Sequence, residues 1–155
     1  MQSAEFLIQM ITITDSNILF SALYSPENKI GEIFSSKSQI QFLAPDYVID
    51  EINEHSNEIL FELNISKREF QERFSSLLNS IKIIKTAEIS NAHLQKAIEI
   101  VKDIDPKDAA FVALHFHLGH KIWTGDKQLI NGLLAKGYDI CVTTKELKKM
   151  LYKKD

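Results

Sequence analysis

Two hydrophobic periods alternate along this chain, and no other feature constrains its fold as much. Met10-Ile-Thr-Ile-Thr14 repeats at a period of two, the spacing of a β-strand. Ile18, Leu19, Ala22 and Leu23 follow at helical spacing, with Ser16 or Asn17 placed to cap their helix. A short helix holds Ile30, Ile33 and Phe34, and Gln39-Ile-Gln-Phe-Leu43 reads as a second strand. Pro45 is expected to open a long helix through Val48, Ile49, Ile52, Ile59 and Leu60. Ser66-Lys-Arg-Glu69 then has the form of a capping box ahead of Phe70, Phe74, Leu77 and Leu78. These two helices are read as an arm around residues 46–80, outside the sheet. The rhythm continues with a strand at Ile81-Lys-Ile-Ile84 and a helix through Leu94, Ala97, Ile98 and Val101. An apolar helix follows, opened by Asp105-Pro-Lys-Asp108 and closed at Gly119. Lys121-Ile-Trp-Thr124 is a strand, Leu129 to Ala135 a helix ending near Gly137, and Ile140 lies in a last strand. Thr143-Thr-Lys-Glu146 caps the final helix.

Strands that alternate with helices predict an α/β fold, with a mainly parallel sheet covered on both faces. The 155 residues, of which 45% are hydrophobic, suffice for one domain with its own core, and a single domain over 1–155 is expected. Residues before Met10 are an extension or an extra piece of strand. The apolar stretch there is broken by Gln9, Thr12 and Thr14 and has no basic region before it, so no secretory signal is read. No apolar run approaches the ~20 residues needed to cross a bilayer. The lone cysteine, Cys141, excludes an internal disulfide and a thiol-based zinc site, and a cytoplasmic location is expected. Its place in the apolar run Asp139-Ile-Cys-Val-Thr143 suits a buried, inert thiol.

Ligands of open parallel sheets sit outside the carboxyl ends of the strands, and acids gather there. Asp15 directly follows the first strand, and Asp126 follows the Trp123 strand. Asp105 and Asp108 open the apolar helix, and Glu51 lies early in the helix after Pro45. Carboxylates brought that close repel one another unless they are protonated or bridged by cations. Mg²⁺ or Mn²⁺ prefers such oxygen ligands and supports phosphoryl transfer to water. A plainer role exists for most of them. Asp105 and Asp108 suit the start of a helix, Asp126 suits a turn, and Glu51 shares a charged stripe with Glu54, His55, Glu58 and Glu62. The net charge of −3 does not itself suggest a polyanion partner, but bound divalent ions reverse the local sign. Lys145, Lys148, Lys149, Lys153 and Lys154 form a basic C-terminal edge, more often a solvated helix face than a binding surface.

Four blocks in order carry a family resemblance. They are Ile13-Thr-Asp-Ser-Asn-Ile-Leu19, Ala44-Pro-Asp-Tyr-Val-Ile-Asp-Glu-Ile52, Asp105-Pro-Lys-Asp-Ala-Ala-Phe-Val-Ala-Leu114 and Trp123-Thr-Gly-Asp-Lys-Gln-Leu129. In these the chain resembles the PIN-domain family of metal-dependent ribonucleases, many of them toxins of toxin–antitoxin pairs. The resemblance implies a three-layer, Rossmann-like α/β/α fold. It implies Mg²⁺ or Mn²⁺ held by Asp15, Glu51, Asp108 and Asp126 as the catalytic acids, with Asp105, Asn17 and Thr124 accessory. It also implies an RNA substrate, cleavage to 5′-phosphate and 3′-hydroxyl ends, and an antitoxin or a second copy of the chain as partner. His115 and His117, where the family carries small or apolar residues, and the long 55–80 segment depart from its pattern.

Other readings fit less well. His115, His117 and His120 are spaced wrongly for one zinc site, because residues two apart face different sides of a helix. A phospho-aspartate phosphatase needs a second acid where Asn17 stands. A catalytically latent RNA- or protein-binding module is the alternative to the nuclease. Phe61, Phe70 and Phe74 are candidate contact residues for a partner, with core packing the commoner role of such aromatics.

Overall fold

The first strand, β1 (Met10–Thr14), lies at the centre of the sheet of this computed structural model, which describes residues 10–35 and 40–151. Ile13 stands beside Leu43 of β2 (Ile40–Pro45) and beside Ile122 of β4 (Ile122–Trp123). β3 (Ile81–Ile84) and β5 (Cys141–Val142) flank them, giving the order β3-β2-β1-β4-β5 with every described pairing parallel. Thr12, Ile13 and Thr14 are all buried, so both faces of β1 are covered, as a parallel sheet requires.

The chain steps outward from β1 through β2 to β3, then crosses back over β1 to β4 and β5. Right-handed crossovers place the helices of these two journeys on opposite faces, which gives three layers. The first journey supplies α1 (Ser16–Tyr24), α2 (Lys29–Ser35), α3 (Tyr47–Glu54), α4 (Ser56–Leu63) and α5 (Lys67–Asn79). The return supplies α6 (Asn91–Val101), α7 (Ala109–Leu118) and α8 (Lys127–Ala135), and α9 (Thr144–Leu151) follows β5. α7 packs across β1, β2 and β4. Phe42 and Trp123 share one sheet face by register, and there Phe34 of α2 stacks on both, with centroids 4.5 and 5.4 Å away.

Local chemistry departs from the sequence expectation at several points. Neither Ser16 nor Asn17 caps α1; Asp15 holds that position, and its carbonyl accepts from the N–H groups of Ile18 and Leu19. Pro45 closes β2 instead of opening a helix, because its extended backbone still pairs with Ile84. The long helix expected after it breaks at His55, whose N–H folds back on Ile52, and the ladder restarts when His55 accepts from Ile59. Asn64, in the left-handed conformation that Asn tolerates, ends α4. Ser66 caps α5 by accepting from the Glu69 N–H, while the Glu69 carboxylate pairs with Arg73 at 2.9 Å.

The 46–80 segment is helical, and its inner side joins the common core through Val48, Ile52, Ile59, Phe70, Phe74 and Leu77. Arg73 ties it to α1 by donating to the Leu23 carbonyl at 2.8 Å. Phe70 and Phe74 are therefore core side chains and not contact residues, whereas Phe61 is 88% exposed. On α6 the buried stripe runs through Ala97, Ile100 and Val101, and Ile98 faces outward. Gly119 closes α7 at φ 85, a conformation glycine adopts without strain. The capping box of α9 is complete: Glu146 N–H donates to the Thr143 hydroxyl, and Thr143 N–H donates to the Glu146 carboxylate. No helix of the described residues is long and apolar enough to cross a membrane. Gln39, the residues before Met10, Lys153 and Lys154 lie outside the described residues.

Candidate metal centre

β1 and β4 are adjacent, and between them the order of connections reverses. The crevice at their carboxyl ends is where such sheets bind ligands. Asp15 leaves β1 with its N–H on the Trp123 carbonyl at 3.0 Å, so its carboxylate starts from the sheet's edge. Thr124 leaves β4 fully buried, and its hydroxyl donates to Asp15 Oδ2 at 2.5 Å. The same hydroxyl accepts from the Asp126 N–H at 3.0 Å. One threonine thus joins the two acids that end the neighbouring strands. Asp126 Oδ1 accepts from the N–H groups of Gln128 and Leu129 and caps α8.

Glu51 approaches from α3. Asp108 approaches from the 3₁₀ turn Pro106–Asp108 that leads into α7. Capping explains Asp105, whose Oδ1 accepts from the Lys107 N–H at 3.0 Å. It does not explain Asp108, which makes no side-chain cap bond and is only 7% exposed. Burial, followed by the charges of Asp15, Asp105, Asp126 and Glu51, pushes the Asp108 carboxyl up to about 7. Burial also raises Glu51, with Asp15 adding to it and the Ser16 hydroxyl, His55 and Lys107 opposing. Asp15, 2% exposed, is raised by burial and the Asp126 charge, against the Thr124 hydroxyl and the nearby N–H groups of Asn17 and Ser16.

Asp15, Glu51, Asp108 and Asp126 therefore act on one another electrostatically, and Asp105 lies within range of Asp108. Asn17 meets Asp15 through its main-chain N–H, and the residue is exposed. Two oxygens of the group, Glu51 Oε1 and Asp108 Oδ2, are buried without a hydrogen-bond partner. A buried acceptor left unmatched costs ~1–3 kcal/mol, more if charged, and a cation is the partner that would satisfy both. The donor set, all carboxylate, suits a hard divalent ion. Among the described residues, no three His, Cys, Asp or Glu side chains are spaced to enclose one ion by themselves. A magnesium-like ion does not require that, since it usually takes one or two carboxylates and completes its shell with water and phosphate.

The PIN domain family model matches residues 13–152, most of the chain. This chain belongs to the PIN domain family. A PIN domain is a nuclease-type fold. The crystal structure of PAE2754 from Pyrobaculum aerophilum is similar to this PIN domain with a TM-score of 0.62 at 13% identity, covering 94% of this chain and 91% of that one. At that identity the likeness shows the fold. No curated protein matches the sequence.

Ser16, a cap candidate in the sequence, stands instead among the acids. Its hydroxyl, buried beside Asp15 Oδ1 at 3.5 Å, also opposes the rise of Glu51, so it stands near both acids. A hydroxyl in the first turn after a strand-end acid was the available signal. Tyr47 was missed; it lies within range of the charges of Glu51, Asp105 and Asp108 at the rim. Cys141 is half-buried rather than buried, and burial, followed by the Asp15 charge, pushes its thiol up to about 12.

Proposed function

We propose that this PIN domain is a divalent-metal-dependent endoribonuclease that hydrolyses RNA phosphodiester bonds, with Asp15, Glu51, Asp108 and Asp126 holding Mg²⁺ or Mn²⁺. The observation that carries it is the pair of buried, unpartnered oxygens on Glu51 and Asp108, facing the fields of Asp15 and Asp126 at the switch point of the sheet. Bound there, the ion supplies positive charge that lowers the pKa of an attacking water and offsets charge on the departing oxygen.

The chain's own residues do the rest. Thr124 fixes the Asp15 carboxylate by donating to one oxygen, which leaves the other turned toward Ser16. Asp126 spends Oδ1 on the α8 cap, so Oδ2 is the oxygen left for a ligand. Asp105 caps its own turn and thereby sets where Asp108 enters. The nuclease-type family supports phosphodiester chemistry, and RNA is the substrate the motif resemblance favours. The reading extends to a role as the toxin of a toxin–antitoxin pair, with a small protein partner that silences cleavage.

That no three-acid cage stands ready among the described residues favours one competing reading, a latent module that binds RNA or protein without cutting it. One experiment separates the two. Purified protein is incubated with a mixed RNA pool in Mg²⁺, in Mn²⁺ and in EDTA, with single-stranded DNA alongside. The nuclease reading expects RNA shortened to 5′-phosphate ends in both metals and intact RNA in EDTA. Cleavage indifferent to EDTA, or none in either metal, contradicts it.

A further inference from the structure

Gln128 touches both halves of the acidic group. Its main-chain N–H donates to Asp126 Oδ1 at 3.0 Å, and its side-chain Nε2 donates to the Ile104 carbonyl at 2.9 Å. Ile104 immediately precedes Asp105, the cap of the turn that carries Asp108. One exposed glutamine thus links the acid that starts α8 to the turn that supplies two more.

The link does not stand alone. Gly132, four residues on, faces the same segment: a Cβ there would lie 2.8 Å from Ile104 Cδ1 and Cγ1, so a larger residue would push the Ile104 side chain away from the helix. Lys136, four further, donates Nζ to the Ile100 carbonyl at 2.6 Å and pairs with the Asp103 carboxylate. Residues four apart lie on one side of a helix, so 128, 132 and 136 form a stripe about 12 Å long. All three members of that stripe meet residues 100–104.

We propose that the stripe Gln128–Gly132–Lys136 is a positioning device that sets the spacing of Asp126 from Asp105 and Asp108, and so tunes the affinity of the site for a divalent ion. The proposal rests on the metal-binding reading above. Ordinary packing already fastens α8 to the core through Leu129 and Leu133 on its buried side. The stripe adds to that packing a polar bond at each end and a close contact at the middle, all made to residues 100–104, and the end nearest the acids is Gln128. Groups that orient metal ligands indirectly are worth about 10–100-fold in affinity, and Gln128, one step further out, belongs near the lower end.

The test uses the intact protein and Mn²⁺ alone, titrated calorimetrically, with thermal unfolding measured in parallel. Gln128→Ala removes the side-chain bond and keeps the main-chain one. Gln128→Met keeps the length and the neutral charge but offers no donor. Gly132→Ala displaces Ile104 from the middle of the stripe. Each is expected to weaken Mn²⁺ binding by about tenfold. Ser66→Ala, which removes the α5 cap bond to the Glu69 N–H and no bond to the four acids, is expected to lower the melting temperature with Mn²⁺ affinity unchanged. Gln128 variants that lose thermal stability but bind Mn²⁺ as tightly as the wild type overturn the positioning role and leave the metal reading intact. A wild-type protein that binds no Mn²⁺ overturns both, and needs no variant to show it.

Discussion

Asp108 is the residue whose surroundings are hardest to explain without a ligand. Its carboxyl is buried, caps nothing, leaves one oxygen unpartnered and is pushed up to about 7 by burial and four neighbouring acids. In the metal-free protein this acid therefore holds its proton between about pH 4 and 7, a range in which the unfolded chain has lost it. Folding takes up a proton there, so Asp108's contribution to stability falls as pH rises through that window. Mn²⁺ competes with the same proton. Calorimetry is expected to show Mn²⁺ affinity rising with pH up to about 7 and levelling above it. An affinity flat from pH 5 to 8 would count against the assignment. Asp15→Asn keeps an acceptor for Thr124 but loses the charge; RNA cleavage should fall on the order of a hundredfold or more, with circular dichroism unchanged. Asp15 was legible in the sequence because an acid straight after a strand lies at the sheet's carboxyl edge, and Asp126, one short turn past its strand, lies close to the same edge. Ser16 and the uncapped state of Asp108 were not, because each depends on side-chain directions that spacing does not set.

At the scale of elements, hydrophobic period and capping chemistry were the readable part. Ser66, Thr143 and Gly119 stop or start helices where their side chains, or the lack of one, dictate. Pro45 ends a strand where the sequence predicts a helix start, because its fixed φ suits both and pairing with Ile84 decides between them. The aromatic residues of the 46–80 segment divide sharply in consequence. Phe70, 1% exposed among α-helical neighbours, should lose about 3–5 kcal/mol on replacement by Ala. Phe61→Ala should stay within about 0.5 kcal/mol. Urea unfolding of the two variants measures both. Equal losses would mean that this segment does not pack as described.

For the whole molecule, the order β3-β2-β1-β4-β5 is what turns separated acids into neighbours. Asp15 and Asp126 are more than a hundred residues apart in the chain, yet one Thr124 hydroxyl touches the first and the main chain of the second. The alternating rhythm predicted a parallel sheet; strand order itself came only from the structure, since periodicity does not say on which side of β1 a strand returns. An ion bound only by the folded state stabilises it, by about 2.7 kcal/mol at a hundredfold excess over Kd. For a domain of this size the melting temperature should rise by about 5–10 °C with saturating Mn²⁺, and Asp15→Asn should abolish the rise.

Anomalous diffraction from crystals soaked in Mn²⁺ tests the shared-cation account most directly. The account predicts a peak in the crevice between β1 and β4, about 2.1 Å from an oxygen of Asp15 or Asp108, with Asp126 and Glu51 held to it directly or through water. A crevice with no peak at saturating Mn²⁺, or a peak held by none of these four acids, would contradict it.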